Sequence, residues 1–211
     1  MAKTDRAIPP SVVRRLTRYL THVQTLRGEG VEWVSSQELA STLGLTSSTV
    51  RQDLSYVDFS GISKRGYETA GLEEVLTAIL GADQEWNLIV VGAGNLGRAL
   101  ALHEEFTRRG FHIRGIFDND PKKIGRKVGN LTIRGMEDVP SAVAEEKIDI
   151  GVIAVPAGAA QAVSDALAAA GIKGLLNLAL PHIVAPPHVA IIDARVVASL
   201  LELTHAITSG G

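Results

Sequence analysis

Asn87-Leu-Ile-Val-Val-Gly-Ala-Gly-Asn-Leu-Gly97 decides how the chain is read. Its four apolar residues Leu88, Ile89, Val90 and Val91 fit a short strand buried on both faces, as in a parallel sheet. The glycines then fall as G-x-G-x-x-G. In that pattern Gly92 permits a tight turn, Gly94 lets the backbone approach a pyrophosphate, and Gly97 allows a helix to pack closely on the strand. Ala93, Asn95 and Leu96 complete the loop, and the run from Leu96 to Leu102 reads as a helix whose first N–H groups and dipole suit phosphate. A second strand, Phe111–Phe117, ends at Asp118, where a βαβ unit of this kind brings a carboxylate to the adenosine ribose. A Gly-rich turn alone is weak evidence; a strand before it, a helix after it and an acid on schedule make a dinucleotide site. Asp118-Asn119-Asp120 places negative charge where the 2′-phosphate of NADP would sit, with no basic residue beside it, so NAD(H) is the expected cofactor.

Strand and helix keep alternating beyond Asp118. Strands are expected at Leu131–Arg134 and over residues 148–155, 175–180 and 189–193, with helices over 139–146 and 159–170. Such alternation gives a doubly wound parallel sheet. Residues at strand ends line the crevice of an open α/β sheet, which puts Val155 and Pro156 against the nucleotide. Residues 194–208 form a last helix, apolar on more than one face through Val196, Val197, Leu200, Leu201, Leu203 and Ile207. It must be covered, either by its own sheet or by a partner subunit.

Towards the N-terminus the period changes. Residues 1–8 read as a disordered arm. After Pro9-Pro10, the residues Val12, Val13, Leu16, Tyr19, Leu20, Val23 and Leu26 recur at helical spacing, with Arg14, Arg15 and Arg18 off that stripe. Ser35-Ser36-Gln37-Glu38 has the form of a capping box, Gly44 suits a left-handed turn, and Thr46 or Ser47 caps a third helix running to Tyr56. Helix, short turn and helix is the helix-turn-helix pattern. The third helix exposes Ser47, Ser48, Arg51 and Gln52, which are groups for phosphates and base edges, while Val50 and Leu54 face inward. Residues 58–67 then fit a β-hairpin wing, with Ser60, Lys64, Arg65 and Tyr67 as its DNA contacts. Thr69–Leu80 is a connecting helix whose Leu72, Val75, Leu76, Ile79 and Leu80 would dock on the next domain. The expected fold is therefore α/β: a winged helix over residues 1–80, a Rossmann domain over 81–193 and a terminal dimerisation helix over 194–211.

Composition narrows the rest. Residues 1–70 carry nine Lys/Arg against seven Asp/Glu and the remainder twelve against sixteen, so the mild basicity lies where DNA contacts are expected. The chain has no cysteine, which excludes disulfides and thiolate chemistry, and no apolar run long enough for a membrane span. With no export signal in the polar start, cytoplasm is the expected location. The six histidines show no metal-binding spacing, and only His103 and His182 are placed to approach a cofactor; no metal site and no catalytic group is expected.

The order of these pieces resembles one family, the redox-sensing transcriptional repressor Rex. Val50-Arg51-Gln52-Asp53-Leu54-Ser55-Tyr56 looks like its recognition helix and Gly92-Ala-Gly-Asn-Leu-Gly-Arg-Ala-Leu100 like its cofactor loop. Asp118-Asn-Asp-Pro-Lys-Lys-Ile-Gly125 and Ala170-Gly-Ile-Lys-Gly-Leu-Leu-Asn177 resemble two later signatures. The resemblance implies a homodimer with exchanged C-terminal helices, bound to a palindromic double-stranded operator when free or carrying NAD⁺ and released by NADH. It also puts His103 where the family often has a tyrosine near the nicotinamide. Two rivals are an NAD-dependent dehydrogenase and a DNA-binding protein with a Rossmann scaffold that senses nothing. The first lacks room, since only about 110 residues follow the cofactor loop and the sheet needs most of them. The second has no use for the Gly-rich fingerprint.

Overall fold

A computed structural model describes residues 7–209, so the arm expected over residues 1–8 lies outside the described residues as far as residue 6. Ile8 packs against the helical core. The chain forms two compact units that divide between Gln84 and Glu85.

The first unit contains α1 (Pro10–Gly28), β1 (Trp33–Val34), α2 (Ser36–Leu43), α3 (Ser47–Leu54), β2 (Tyr67–Glu68) and α4 (Thr69–Leu80). Proline at the first position of α1 loses no hydrogen bond there. Ser35 and Glu38 close the predicted capping box reciprocally, and Gly44 ends α2 at φ 66°. Thr46 caps α3 by accepting from the Thr49 N–H. The core is Leu16, Tyr19, Val23, Leu39, Val50 and Leu54 together with Leu72 and Leu76 of α4. α4 thus packs along α1 in its own unit through Leu72, Val75, Leu76 and Leu80, while Ile79 stays exposed. Leu72 and Leu76 are fully buried there, each worth about 1.5–3 kcal/mol of burial.

Arg15 also departs from the expected polar face. Its guanidinium donates to both carboxylate oxygens of Asp53, at 2.6 and 2.7 Å, and the Tyr19 hydroxyl donates to Asp53 Oδ2 at 2.7 Å. Asp53 is on α3 and almost wholly buried, so a satisfied charge pair ties α3 to α1. Burial first, and then the bond to Asp53, push the Tyr19 phenol well above its ordinary pKa.

The second unit contains β3 (Trp86–Val91), α5 (Asn95–Ala101), α6 (Glu104–Arg108), β4 (Phe111–Phe117), β5 (Lys127–Val128), β6 (Leu131–Arg134), α7 (Val139–Glu145), β7 (Ile150–Ile153), α8 (Ala160–Ala169), β8 (Gly174–Asn177), β9 (Ala190–Asp193) and α9 (Val196–Ser209). Its sheet has the order β5-β6-β4-β3-β7-β8-β9, parallel except for β5, an edge strand that the sequence reading passed over. Alternate residues of β3 feed two cores: Ile89 and Val91 one, Leu88 and Val90 the other. β7 and β8 stop at Ile153 and Asn177, earlier than expected. After β7 the residues Ala154, Val155 and Pro156 line the cleft. After β8 the Asn177 side chain accepts from the Ala179 N–H and donates to the Pro181 oxygen, which ends the strand in a turn. The helix after the Gly-rich loop is broken: α5 ends at Ala101, and His103 Nδ1 accepts from the Glu105 N–H to start α6. No residue of α9 is buried. Val196 is 76% exposed and Ile207 69%, so this helix does not pack on its own sheet.

Candidate nucleotide cleft and nucleic-acid interface

Strand order reverses between β3, which pairs with β4 on one side, and β7 on the other. At such a switch point, open α/β sheets form their crevice. A cavity of about 630 Å³ lies there, and seven predicted residues line it: Gly92, Gly94, Asn95, Leu96, Asp118, Val155 and Pro156. Gly92 sits at φ 107°, and a Cβ on it would fall 2.4 Å from the Ala154 carbonyl oxygen. A Cβ on Gly97 would fall 1.9 Å from the Gly92 oxygen, so the loop and α5 close on each other only with glycine there. Space beside Gly94 is open, as an approaching pyrophosphate requires.

Asp118 is 6% exposed at the end of β4. Its Oδ2 accepts from the Ala93 N–H at 2.8 Å and from Lys123 Nζ at 2.8 Å, and its Oδ1 from the Asp120 N–H at 2.9 Å. Burial alone would raise its pKa; the bonds from Lys123, Asp120 and Ala93 outweigh that and hold the carboxyl below the ordinary value. Ala93 therefore acts through its backbone, with its side chain buried. Lys123 corrects the expectation that no basic residue stands beside Asp118. A tight turn, in which the Lys123 N–H donates to the Asp120 oxygen, brings Lys123 back over the carboxylate. Met136, Ala154, Ala159 and Val163 also line the cleft and carried no sequence signal.

His103 is not in the cleft. The break between α5 and α6 places it in a separate cavity of about 340 Å³ with Leu102, Thr107, Ile113 and Val128. His182 is likewise elsewhere, its Nδ1 3.0 Å from Asp193 Oδ2. No cluster of metal-binding side chains occurs among the described residues.

In the first unit a groove of about 690 Å³ runs between α2, α3 and the wing. Ser47 and Arg51 of α3, with Ser55 directly after it, form one wall at spacing i, i+4, i+8, with Arg51 donating to Ser36 Oγ at 3.3 Å. Ser48 and Gln52 are exposed one step around the helix and do not line it. Ser60, Lys64 and Arg65 line the wing side; Ser35, Ser36 and Gln37, at the start of α2, line it too, and the sequence marked them only as a capping box. None of the lining side chains is acidic. Tyr67 lines the groove as well, from a mostly buried position: β2 pairs it with Val34, and its ring is 7% exposed and stacked on Phe59. The wing is tighter than a full hairpin, a single bridge between Ile62 and Gly66 with Lys64 at φ 66° at its tip.

A winged helix and a Rossmann sheet bearing a dinucleotide cleft, carried on one chain, define a DNA-binding protein with a built-in nucleotide site. Two family models match, the "CoA binding domain" over residues 83–180 and the "Putative DNA-binding protein N-terminus" over residues 7–55. The redox-sensing transcriptional repressor Rex 1 of Thermotoga maritima is 45% identical over 201 residues, covering 95% of this chain and 96% of that protein. The Rex repressor of Rubrobacter xylanophilus is 42% identical over 205 residues, covering 95% of each. The crystal structure of RSP in complex with β-NAD⁺ and operator DNA superposes with a TM-score of 0.89 at 34% identity, covering 98% of this chain and 95% of that one. The complex of RSP with β-NADH gives 0.87 at 36% identity, covering 99% and 97%. The chain belongs to the redox-sensing transcriptional repressor Rex family.

Proposed function

We propose that this chain is a transcriptional repressor that senses the NADH/NAD⁺ ratio, holding operator DNA when free or bound to NAD⁺ and releasing it when NADH binds. The observation that carries this is the pairing, on one chain, of a groove with no acidic side chain and a cleft whose ionised Asp118 suits a ribose diol. Hydroxyls, an amide and arginine are the groups that contact phosphates and base edges. Arg51 with Ser47 reads from α3, flanked by Ser48 and Gln52, while Ser60, Lys64 and Arg65 approach from the wing. In the cleft the loop Gly92–Gly97 receives the pyrophosphate, Asp118 the ribose, and Val155 with Pro156 the nicotinamide end. Tyr67 supports the wing, and His103 takes no part in the single-chain cleft.

The uncovered apolar face of α9 supports a homodimer, in which two recognition helices meet two half-sites of a palindrome. No helix of the described residues is long and apolar enough to cross a membrane, and action on operator DNA supports a cytoplasmic location. NADH acts only through a difference in affinity between the DNA-competent state and another state. The test uses duplexes selected by the full chain from a random-sequence pool, with fluorescence anisotropy read at fixed salt. NADH should weaken binding and NAD⁺ should not. Selection of no sequence, or equal affinity with and without NADH, would contradict the proposal.

A further inference from the structure

We infer that Trp33 is a positioning residue of the DNA interface, a ring that holds the wing arginine Arg65 for contact with the nucleic acid. The inference rests on the DNA-binding reading above. β1 and β2 form a two-residue ladder in which Val34 opposes Tyr67 and Trp33 opposes Glu68. Val34 and Tyr67 are buried, so alternation along each strand turns Trp33 to the other face. The wing returns directly onto this ladder. Gly66 stands at φ 95°, and a Cβ there would fall 2.4 Å from the Val34 carbonyl oxygen. Only glycine lets the two backbones close so tightly. Mutual hydrogen bonds between Ile62 and Gly66, at 2.7 and 2.9 Å, fix the turn that precedes it. The residue before Gly66 is thereby delivered to Trp33: Arg65 Cζ lies 3.9 Å from the ring centroid.

Arg65 has no ion pair among the described residues, although Glu32 and Glu68 line the same hollow. The indole face is the partner it has. A guanidinium stacked by its flat face keeps its N–H edge free, and that edge is what binds a phosphate or a base. Holding a long, flexible side chain in place before DNA arrives lowers the entropy lost on binding. Lysine could not use the ring in the same way, because its ammonium has no flat face to stack.

The experiment measures affinity for a selected duplex with the full chain. Arg65→Ala should weaken binding. Trp33→Leu should weaken it by about two- to fivefold for each wing engaged, while Trp33→Phe, which keeps an aromatic face, should retain most of the affinity. In the Arg65→Ala background Trp33→Leu should cost nothing more. Arg65→Lys, which leaves Trp33 untouched and keeps the charge, should resemble Trp33→Leu, so the idea stays testable if the tryptophan variant unfolds. The urea midpoint of the first unit serves as the control for an intact winged helix. Wild-type affinity in Trp33→Leu or Arg65→Lys, or losses that simply add in the double variant, would overturn the inference. Failure of the wild-type chain to select any duplex would instead sink the DNA-binding reading itself.

Discussion

α4 and α9 are built from similar material and end in opposite situations. Each is a helix of mainly Leu, Val, Ile, Ala and Thr. α4 buries Leu72 and Leu76 completely against α1, whereas no residue of α9 is buried. The difference lies in what each follows. α4 starts directly after β2, and the Thr69 hydroxyl donates to the Val31 oxygen and its N–H to the Glu32 oxygen, both just before β1, which keeps the helix against its own unit. α9 starts after β9, the last strand of the sheet, where no further strand or helix of the unit remains to cover it. An apolar stripe therefore says that a helix will be covered, and only topology says by what.

The largest effect should come from the closed side of this comparison. Leu76→Ala should cost about 2–5 kcal/mol in urea unfolding of the first unit, with a midpoint independent of protein concentration. Leu200→Ala on α9 should cost under about 0.5 kcal/mol when the protein is dilute and monomeric, yet shift the association equilibrium in sedimentation runs. An equal loss in both variants under dilute conditions would mean that α9 packs on its own sheet in solution.

Both helices were legible as helices, together with the Gly-rich loop, the acidic strand end, the capping box and the alternation of strand and helix that makes a parallel sheet. Those features are local: a period, a cap or a turn is written in neighbouring residues. What stayed hidden depends on chain return. Lys123 reaches Asp118 through a turn, Trp33 meets Arg65 across a ladder, and Arg15 finds Asp53 from another helix. His103 was misplaced for the opposite reason, since its own capping bond breaks a helix that periodicity runs straight through.

The Lys123–Asp118 pair sharpens the comparison at the cleft, where a buried carboxylate is held by Lys123 and by the Ala93 and Asp120 N–H groups. Asp118→Ala should weaken NADH by roughly tenfold or more, the value of a lost bond to a charged group. It should also free Lys123 and narrow the preference over NADPH, both read by calorimetry. Unchanged discrimination would remove Asp118 from the ribose site. Acid provides a smaller effect with a defined sign. The folded carboxyl has a depressed pKa, so its contribution is complete above the unfolded value near 4 and is lost as pH falls through the folded value. The stability gap between the wild type and Asp118→Asn should therefore shrink in unfolding series taken below about pH 4.

Smaller still is the wing-tip charge. Lys64→Ala should weaken all duplex sequences alike and lower the slope of log affinity against log salt by about one for each phosphate that the lysine neutralises. A weakening confined to the selected sequence would show Lys64 reading bases.

The central claim is that the cleft and the groove belong to one switch, and linkage makes that measurable from the cofactor side. NADH is titrated calorimetrically into the full chain with and without a selected operator duplex. Operator should weaken NADH by the same factor by which NADH weakens operator, a coupling of about 5- to 150-fold. Identical NADH dissociation constants in the two titrations would leave two binding sites on one chain with no sensor between them.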